Sequence, residues 1–214
     1  MTGRYEIAGR EGEFEPGSDG TVLRNLKGIA NAERMREEES QTLIVATNRL
    51  LDGLYPDQRF TAADICYIHR FWLGDVYAWA GAYRSVNLSK GDFTFASASF
   101  VPQLMVEYQD GPLARYTPSR SLTRHELEVA LAVTHSELVL IHPFRDGNGR
   151  CARVLSILMA VQVGMPALDF EPIELDTSRY IGAIHAAVST NYEPMTALFG
   201  DVITRTIDRA GGIA

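Results

Sequence analysis

His142, Asp146, Arg150 and Arg153 fall within one short stretch, Ile-His-Pro-Phe-Arg-Asp-Gly-Asn-Gly-Arg-Cys-Ala-Arg, from Ile141 to Arg153. They supply a proton acceptor, a hard oxygen ligand and two forked cations around a Gly147-Asn148-Gly149 turn. Such a turn, feeding a helix N-terminus, aims successive backbone N–H groups into one concavity where the helix dipole favours negative charge. That is a phosphate nest. Asp146 has the oxygen chemistry to hold a phosphate-bound Mg²⁺, with water completing the shell. Arg150 and Arg153, on the first turn of the following helix, can offer forked donors to one anion. His142 titrates near neutrality and suits a base that takes a proton from an incoming hydroxyl. The set implies a transfer reaction on a nucleotide phosphate, in which positioning and charge stabilisation do most of the catalysis.

Such a loop needs a helix on each side. Between Ser121 and Leu140 the residues Leu127, Ala130, Leu131, Thr134, Leu138 and Val139 follow the i, i+3, i+4 rule, and Pro143 disfavours helical geometry at the residue before it, so this helix is expected to end at His142. A second helix is expected from the Gly147 to Arg150 region to about Val163, where Gly164 and Pro166 stop it. Upstream, residues 1–20 read as a loosely held arm, 30–54 as one or two amphipathic helices, and Thr61 with Asp64 as the cap of a helix to about Leu73 whose pattern continues past Gly74. From Tyr83 to Phe95 the period changes: Val86, Leu88, Phe93 and Phe95 alternate with polar residues around a Lys90-Gly91-Asp92 turn, a hairpin signal. A lone hairpin is marginal, so it is expected to lean on the helical body as a flap. Helix resumes at 99–108, 111–119 reads as a loop with Pro112 and Pro118, and two helical patches flank 191–194. The expected fold is all-α, a helical bundle with one small β-hairpin, divided into an arm (1–20), a domain (21–200) and a helical tail (201–214).

Composition narrows the function classes. With 214 residues, 46% hydrophobic and 22% charged, the chain can bury a full core. A net charge of -7 argues against a protein that coats nucleic acid. The start lacks a signal-peptide core, and the longest apolar run, Val154 to Val163, is too short to span a bilayer; a cytoplasmic place is expected. Cys66 and Cys151 read as reduced thiols. His69, His125, His135 and His185 read as structural, Trp72, Trp79, Tyr77 and Phe71 as core, and Glu37-Glu38-Glu39 as a solvated helix face.

The stretch His142-Pro143-Phe144-Arg145-Asp146-Gly147-Asn148-Gly149-Arg150, with Arg153 after it, resembles the Fic-domain signature at every defining position. Ile68-His69, the segment Gly74 to Gly81 and Arg84 resemble the Fic segment that leads to the flap, and the likeness covers about Val22 to Phe199. The resemblance implies an adenylyltransferase that moves AMP from ATP and Mg²⁺ to a Ser, Thr or Tyr hydroxyl of a target protein. It would make His142 the general base and Asp146 the Mg²⁺ ligand. Gly147, Asn148 and Gly149 would form the anion hole, with the Asn148 side chain donating to the α-phosphate. Arg150 and Arg153 would hold the β- and γ-phosphates, Phe144 would anchor the loop, and Lys90, Gly91, Asp92, Phe93, Thr94 and Phe95 would form the flap that aligns the target by strand addition. The kinase-like Doc branch has Lys where this chain has Gly149, which favours AMP transfer; a Doc-like kinase, another nucleotidyl or phospho-group transferase, and a silent ATP-binding module are the alternatives. Self-inhibited Fic proteins carry a Ser/Thr-x-x-x-Glu-Gly/Asn helix whose glutamate pairs with the second motif arginine. Ser189 to Glu193 and Thr2 to Glu6 fail its last position. Val22 to Ile29 resembles Fic toxins held by a separate small antitoxin, so a toxin-antitoxin partner supplying that glutamate is expected, with Arg153 left free until it binds.

Overall fold

The computed structural model describes residues 13–211 and, as backbone, the short strand Glu6–Ile7; the rest of the arm and residues 212–214 lie outside the described residues. The elements run β1 (Glu6–Ile7), α1 (Ala32–Asp52), α2 (Ala62–Leu73), β2 (Leu88–Lys90), β3 (Phe93–Thr94), α3 (Val101–Tyr108), α4 (Ala114–Tyr116), α5 (Arg124–Ile141), α6 (Asn148–Gln162), α7 (Glu171–Leu175), α8 (Thr177–Ala187) and α9 (Glu193–Gly211). The all-α bundle with a small antiparallel sheet is as expected.

The two loop-bearing helices lie at the centre. α6 buries Cys151, Ala152, Val154, Leu155, Leu158, Met159 and Ala160, a helix apolar nearly all round, which only a central position tolerates. α5 packs against it and against α9, burying Leu127, Ala130, Leu131 and Leu138. A reciprocal cap fixes its start, since Thr123 accepts from the Glu126 N–H while the Glu126 carboxylate accepts from the Thr123 N–H. The same device opens α2 with Thr61 and Asp64, as their spacing predicts. α1 and α2 pack side by side, and Met35, Ala46, Trp72, Leu73, Val76 and Tyr77 form a second apolar cluster beneath residues Val22 and Ile29.

Four segments differ from expectation. Residues 13–24 fold on themselves: Glu15 N–H donates to Val22 (2.8 Å), Arg24 N–H to Glu13 (2.9 Å), and Ser18 is buried. Turn hydrogen bonds, which leave no periodicity in sequence, hold this part of the arm. Helix does not continue past Gly74; the stretch to Gly81 is a series of turns. Gln109–Leu113 forms a π-helical turn that carries α3 into α4, a wider turn that accommodates Pro112 where a loop was expected. α9 runs unbroken across residue 200, the expected domain edge, and buries Met195, Leu198, Phe199, Val202, Ile203 and Thr206 on both sides of it.

The sheet is antiparallel in the order β1-β2-β3. Ser89 faces Thr94 and Lys90 faces Phe93 across the hairpin, while Glu6 and Ile7 of β1 pair with Ser89 and Leu88. Gly91 turns the hairpin at φ +58°, and Val86, Leu88 and Phe95 form its own small core.

Candidate functional site

α5 ends at His142, whose backbone is left-handed at φ 52° and ψ 58°, the break that Pro143 imposes. The imidazole is buried, and its Nδ1 lies 2.9 Å from the Val139 carbonyl oxygen. A carbonyl only accepts, so Nδ1 carries the proton and Nε2 keeps its lone pair. The Phe95 ring stacks on the imidazole at 3.8 Å. Burial, with the nearby Arg84 and Lys90 charges adding to it against the Val139 hydrogen bond and Asp146, pushes the His142 pKa down to about 4. The ring is therefore neutral at pH 7, the form a base requires.

The loop after His142 is held from three directions. Phe144 is fully buried and stacks on His69 at 3.9 Å. His69 Nε2 donates to the Asp146 carbonyl (3.0 Å) while its Nδ1 accepts from the Gly81 N–H (2.9 Å); this doubly used, buried ring is likewise pushed down to about 4, chiefly by desolvation. Asn148 accepts from the Phe144 N–H (2.8 Å) and donates to the Phe144 carbonyl (2.9 Å). The Asn148 amide therefore also staples the loop, and its NH2 group keeps a second N–H beyond the one given to Phe144. Gly147 precedes α6 at φ +80°, and a Cβ there would lie 2.8 Å from the Trp72 ring. No side chain caps α6, so its first-turn N–H groups lack helical acceptors, and the space above Gly149 is open.

Arg84, buried beside the loop, donates from Nε to the His142 carbonyl (2.7 Å) and from Nη1 to Val86 (2.8 Å), with Nη2 reaching Ala96 and Ile141. Its backbone N–H donates to Pro143 (2.8 Å). One guanidinium therefore caps the C-terminal carbonyls of α5 and ties both legs of the hairpin to them.

These parts line a cavity of about 590 Å³. Its lining comes from the flap (Lys90, Asp92, Phe93 and Phe95), from the loop and the start of α6 (His142, Asp146, Gly147, Asn148, Gly149, Arg150 and Arg153), and from Val139 of α5 with Tyr180, Ile181, Ile184 and His185 of α8. Of the flap residues expected at the site, Gly91 supplies the turn and Thr94 a ladder position. His185 stacks on Phe93 at 5.4 Å, so α8 meets the flap across the cavity. The α8 wall escaped the sequence reading, since an amphipathic patch far along the chain carries no sign of what it faces.

Both arginines reach the cavity, and each holds a carboxylate. Arg153 Nη1 is 2.8 Å from Glu174 and its guanidinium lies over the Phe170 ring, so it is not left free as expected. Arg150 Nη1 is 2.7 Å from Glu39 Oε2. Glu39 is 6% exposed, which overturns its reading as part of a solvated face. Trp72 and Tyr77, read as core, are indeed buried, and both hydrogen-bond Glu39. Asp146 directs a partly exposed carboxylate at the cavity, with Arg150 Nη2 3.8 Å away. Among the described residues no cluster of three or more His, Cys, Asp or Glu could by itself hold a metal. A lone carboxylate fits a Mg²⁺ that takes its other ligands from phosphate and water.

A helical bundle with a flap arched over a loop of this geometry is the architecture of the Fic class. The chain carries a Fic domain: residues 59–160 match the Fic/DOC family. Protein adenylyltransferase VbhT of Bartonella schoenbuchensis is 30% identical over 174 residues, 77% of this chain and 34% of that protein. A probable protein adenylyltransferase Fic of Salmonella typhimurium is 29% identical over 179 residues, 79% of this chain and 81% of that one. This chain thus spans about a third of VbhT and most of the Salmonella protein. Among solved structures, the Bartonella tribocorum BepC protein, with bound AMPPNP, shares the fold at TM-score 0.70 and 22% identity, over 88% of this chain and 94% of that one. The N-terminal Fic domain of an effector from Bartonella sp. AR 15-3 does so at 0.72 and 22%, over 88% and 89%.

Proposed function

We propose that the chain transfers AMP from ATP to a hydroxyl side chain of a target protein. The observation that carries this reading is that one cavity is lined by a neutral, oriented histidine, by an open anion nest and by apolar side chains of α8 and the flap. The adenine and ribose lie against α8, and the triphosphate lies over Gly147 to Arg150. A bound Mg²⁺, held by Asp146, would neutralise phosphate charge. The first-turn N–H groups of α6 stabilise the charge that develops on the α-phosphate. His142 Nε2 takes the hydroxyl proton as the oxygen attacks phosphorus; the bond to the bridging oxygen breaks, and pyrophosphate leaves beside Arg150 and Arg153. The outer edge of β2 is taken by β1, so the flap offers the edge of β3 to an extended target segment. The open space above Gly149 supports AMP transfer over the Doc-type orientation of ATP.

Toxin-antitoxin control belongs to the same reading. An antitoxin glutamate directed at Arg153 would have to displace Glu174, which is an exposed partner. No helix among the described residues is long and apolar enough to cross a membrane. Incubation with Mg²⁺, cell lysate and ATP labelled on the α-phosphate is expected to label a protein band, and His142→Ala to abolish it. Label entering only from the γ-phosphate would overturn AMP transfer in favour of a kinase.

A further inference from the structure

We infer that Glu39, on a helix remote in sequence from the loop, is the positioning residue that sets Arg150 for the β-phosphate. This rests on the nucleotide reading above. Glu39 is buried and fully partnered: Oε2 accepts from Arg150 (2.7 Å), Oε1 from the Tyr77 hydroxyl (2.6 Å), and its backbone carbonyl from Trp72 Nε1 (2.9 Å). Trp72 also lies under the guanidinium, 4.6 Å from its centre. The same indole bounds the space at Gly147, so one ring fixes both the start of the nest and the arginine beside it.

An arginine on the first turn of a helix has several staggered side-chain conformations open to it, and ordering it at the moment of binding costs affinity. Here the cost is met in advance. Glu39 takes Nη1 and Trp72 one face, while the side chain stays a third exposed and lines the cavity. Tyr77 shares the carboxylate, and burial with the Glu39 charge beside it holds the phenol far above its ordinary pKa, so it stays a donor. A carboxylate so placed would be costly without Arg150, because breaking a buried pair strands a charge; the pair constrains both partners. Glu39 touches no atom of the nucleotide and acts only through Arg150.

Nucleotide length separates positioning from general support. AMP ends at the phosphate held by the nest, whereas ADP adds the β-phosphate assigned to Arg150. Binding of AMP and of ADP with Mg²⁺ is measured by calorimetry for the wild-type chain, Glu39→Gln and Tyr77→Phe, with thermal unfolding alongside. Glu39→Gln keeps the volume and one acceptor but removes the charge. The expected result is ADP affinity lowered tenfold or more in Glu39→Gln and severalfold in Tyr77→Phe, with AMP affinity within twofold of wild type. Equal losses for AMP and ADP, unchanged ADP affinity, or tighter ADP binding from a released Arg150 would each overturn the inference. If the wild-type chain binds neither nucleotide, the functional reading fails first and this inference with it. Transfer activity lost with the AMP and ADP difference intact would sink the reaction assignment alone.

Discussion

Acid should unfold this protein through its histidines. His69 and His142 are held at about 4 and His135 at about 3, each chiefly by burial, whereas in the unfolded chain each titrates near ~6.5. A base whose folded pKa is depressed binds more protons when unfolded. Stability is therefore complete above the unfolded value and falls as pH drops from ~6.5 towards the folded values. Near pH 5.5 unfolding should take up close to three protons, a slope of roughly 4 kcal/mol per pH unit. By pH 5 the accumulated loss is roughly 6 kcal/mol, comparable with the whole stability of an ordinary domain. Urea unfolding followed by tryptophan fluorescence, repeated from pH 8 to pH 5, measures the slope, and His69→Gln should lower it by about one proton. A slope worth less than one proton in that range would refute the argument. Within the same window His142 stays mostly neutral, so any transfer activity should fail with the fold rather than with protonation of its base.

Three substitutions probe other parts of the site. Gly147→Ala places a methyl 2.8 Å from the Trp72 ring at a left-handed position; strain and crowding together should cost ~2–4 kcal/mol, read as a lower Tm, with loss of ADP binding. Glu174→Ala removes an exposed partner of Arg153, so stability should change by less than ~1 kcal/mol, while the KM for ATP should fall severalfold in a transfer assay. Arg84→Met strips the donors from several buried carbonyls and should cost ~3–5 kcal/mol, measured by urea unfolding.

What the sequence made legible was the contiguous part of the site. Pro143 announces the end of α5, and the glycines announce a nest, because these effects act within a few residues. The capping pairs Thr61 with Asp64 and Thr123 with Glu126 are local in the same sense. Glu39 was not legible as a partner of Arg150, since that contact closes a long loop of chain. A signal did exist: Glu39 interrupts the stripe of Met35, Leu43 and Ala46, and a carboxylate on the buried face of a helix implies a cation waiting opposite. Asn148 shows the limit from the other side, because its neighbours suggest a ligand donor and carry no sign that the same amide staples Phe144. The α8 wall belongs to the same class as Glu39, placed by packing alone.

Arg84 gives the flap its mechanical character. One guanidinium is bonded to both legs of the hairpin, at Val86 and Ala96, and to the final carbonyls of α5, so the base of the arch is pinned to the end of the helix that carries His142. On the proposed reading, nucleotide and target enter beneath a span whose height above His142 is already set. Such an arch would work as a ruler: a target strand paired to the edge of β3 would offer alternate side chains to the base, and a slip of one residue would turn the hydroxyl to the opposite face. The choice of modified residue would then be a matter of counting along the strand.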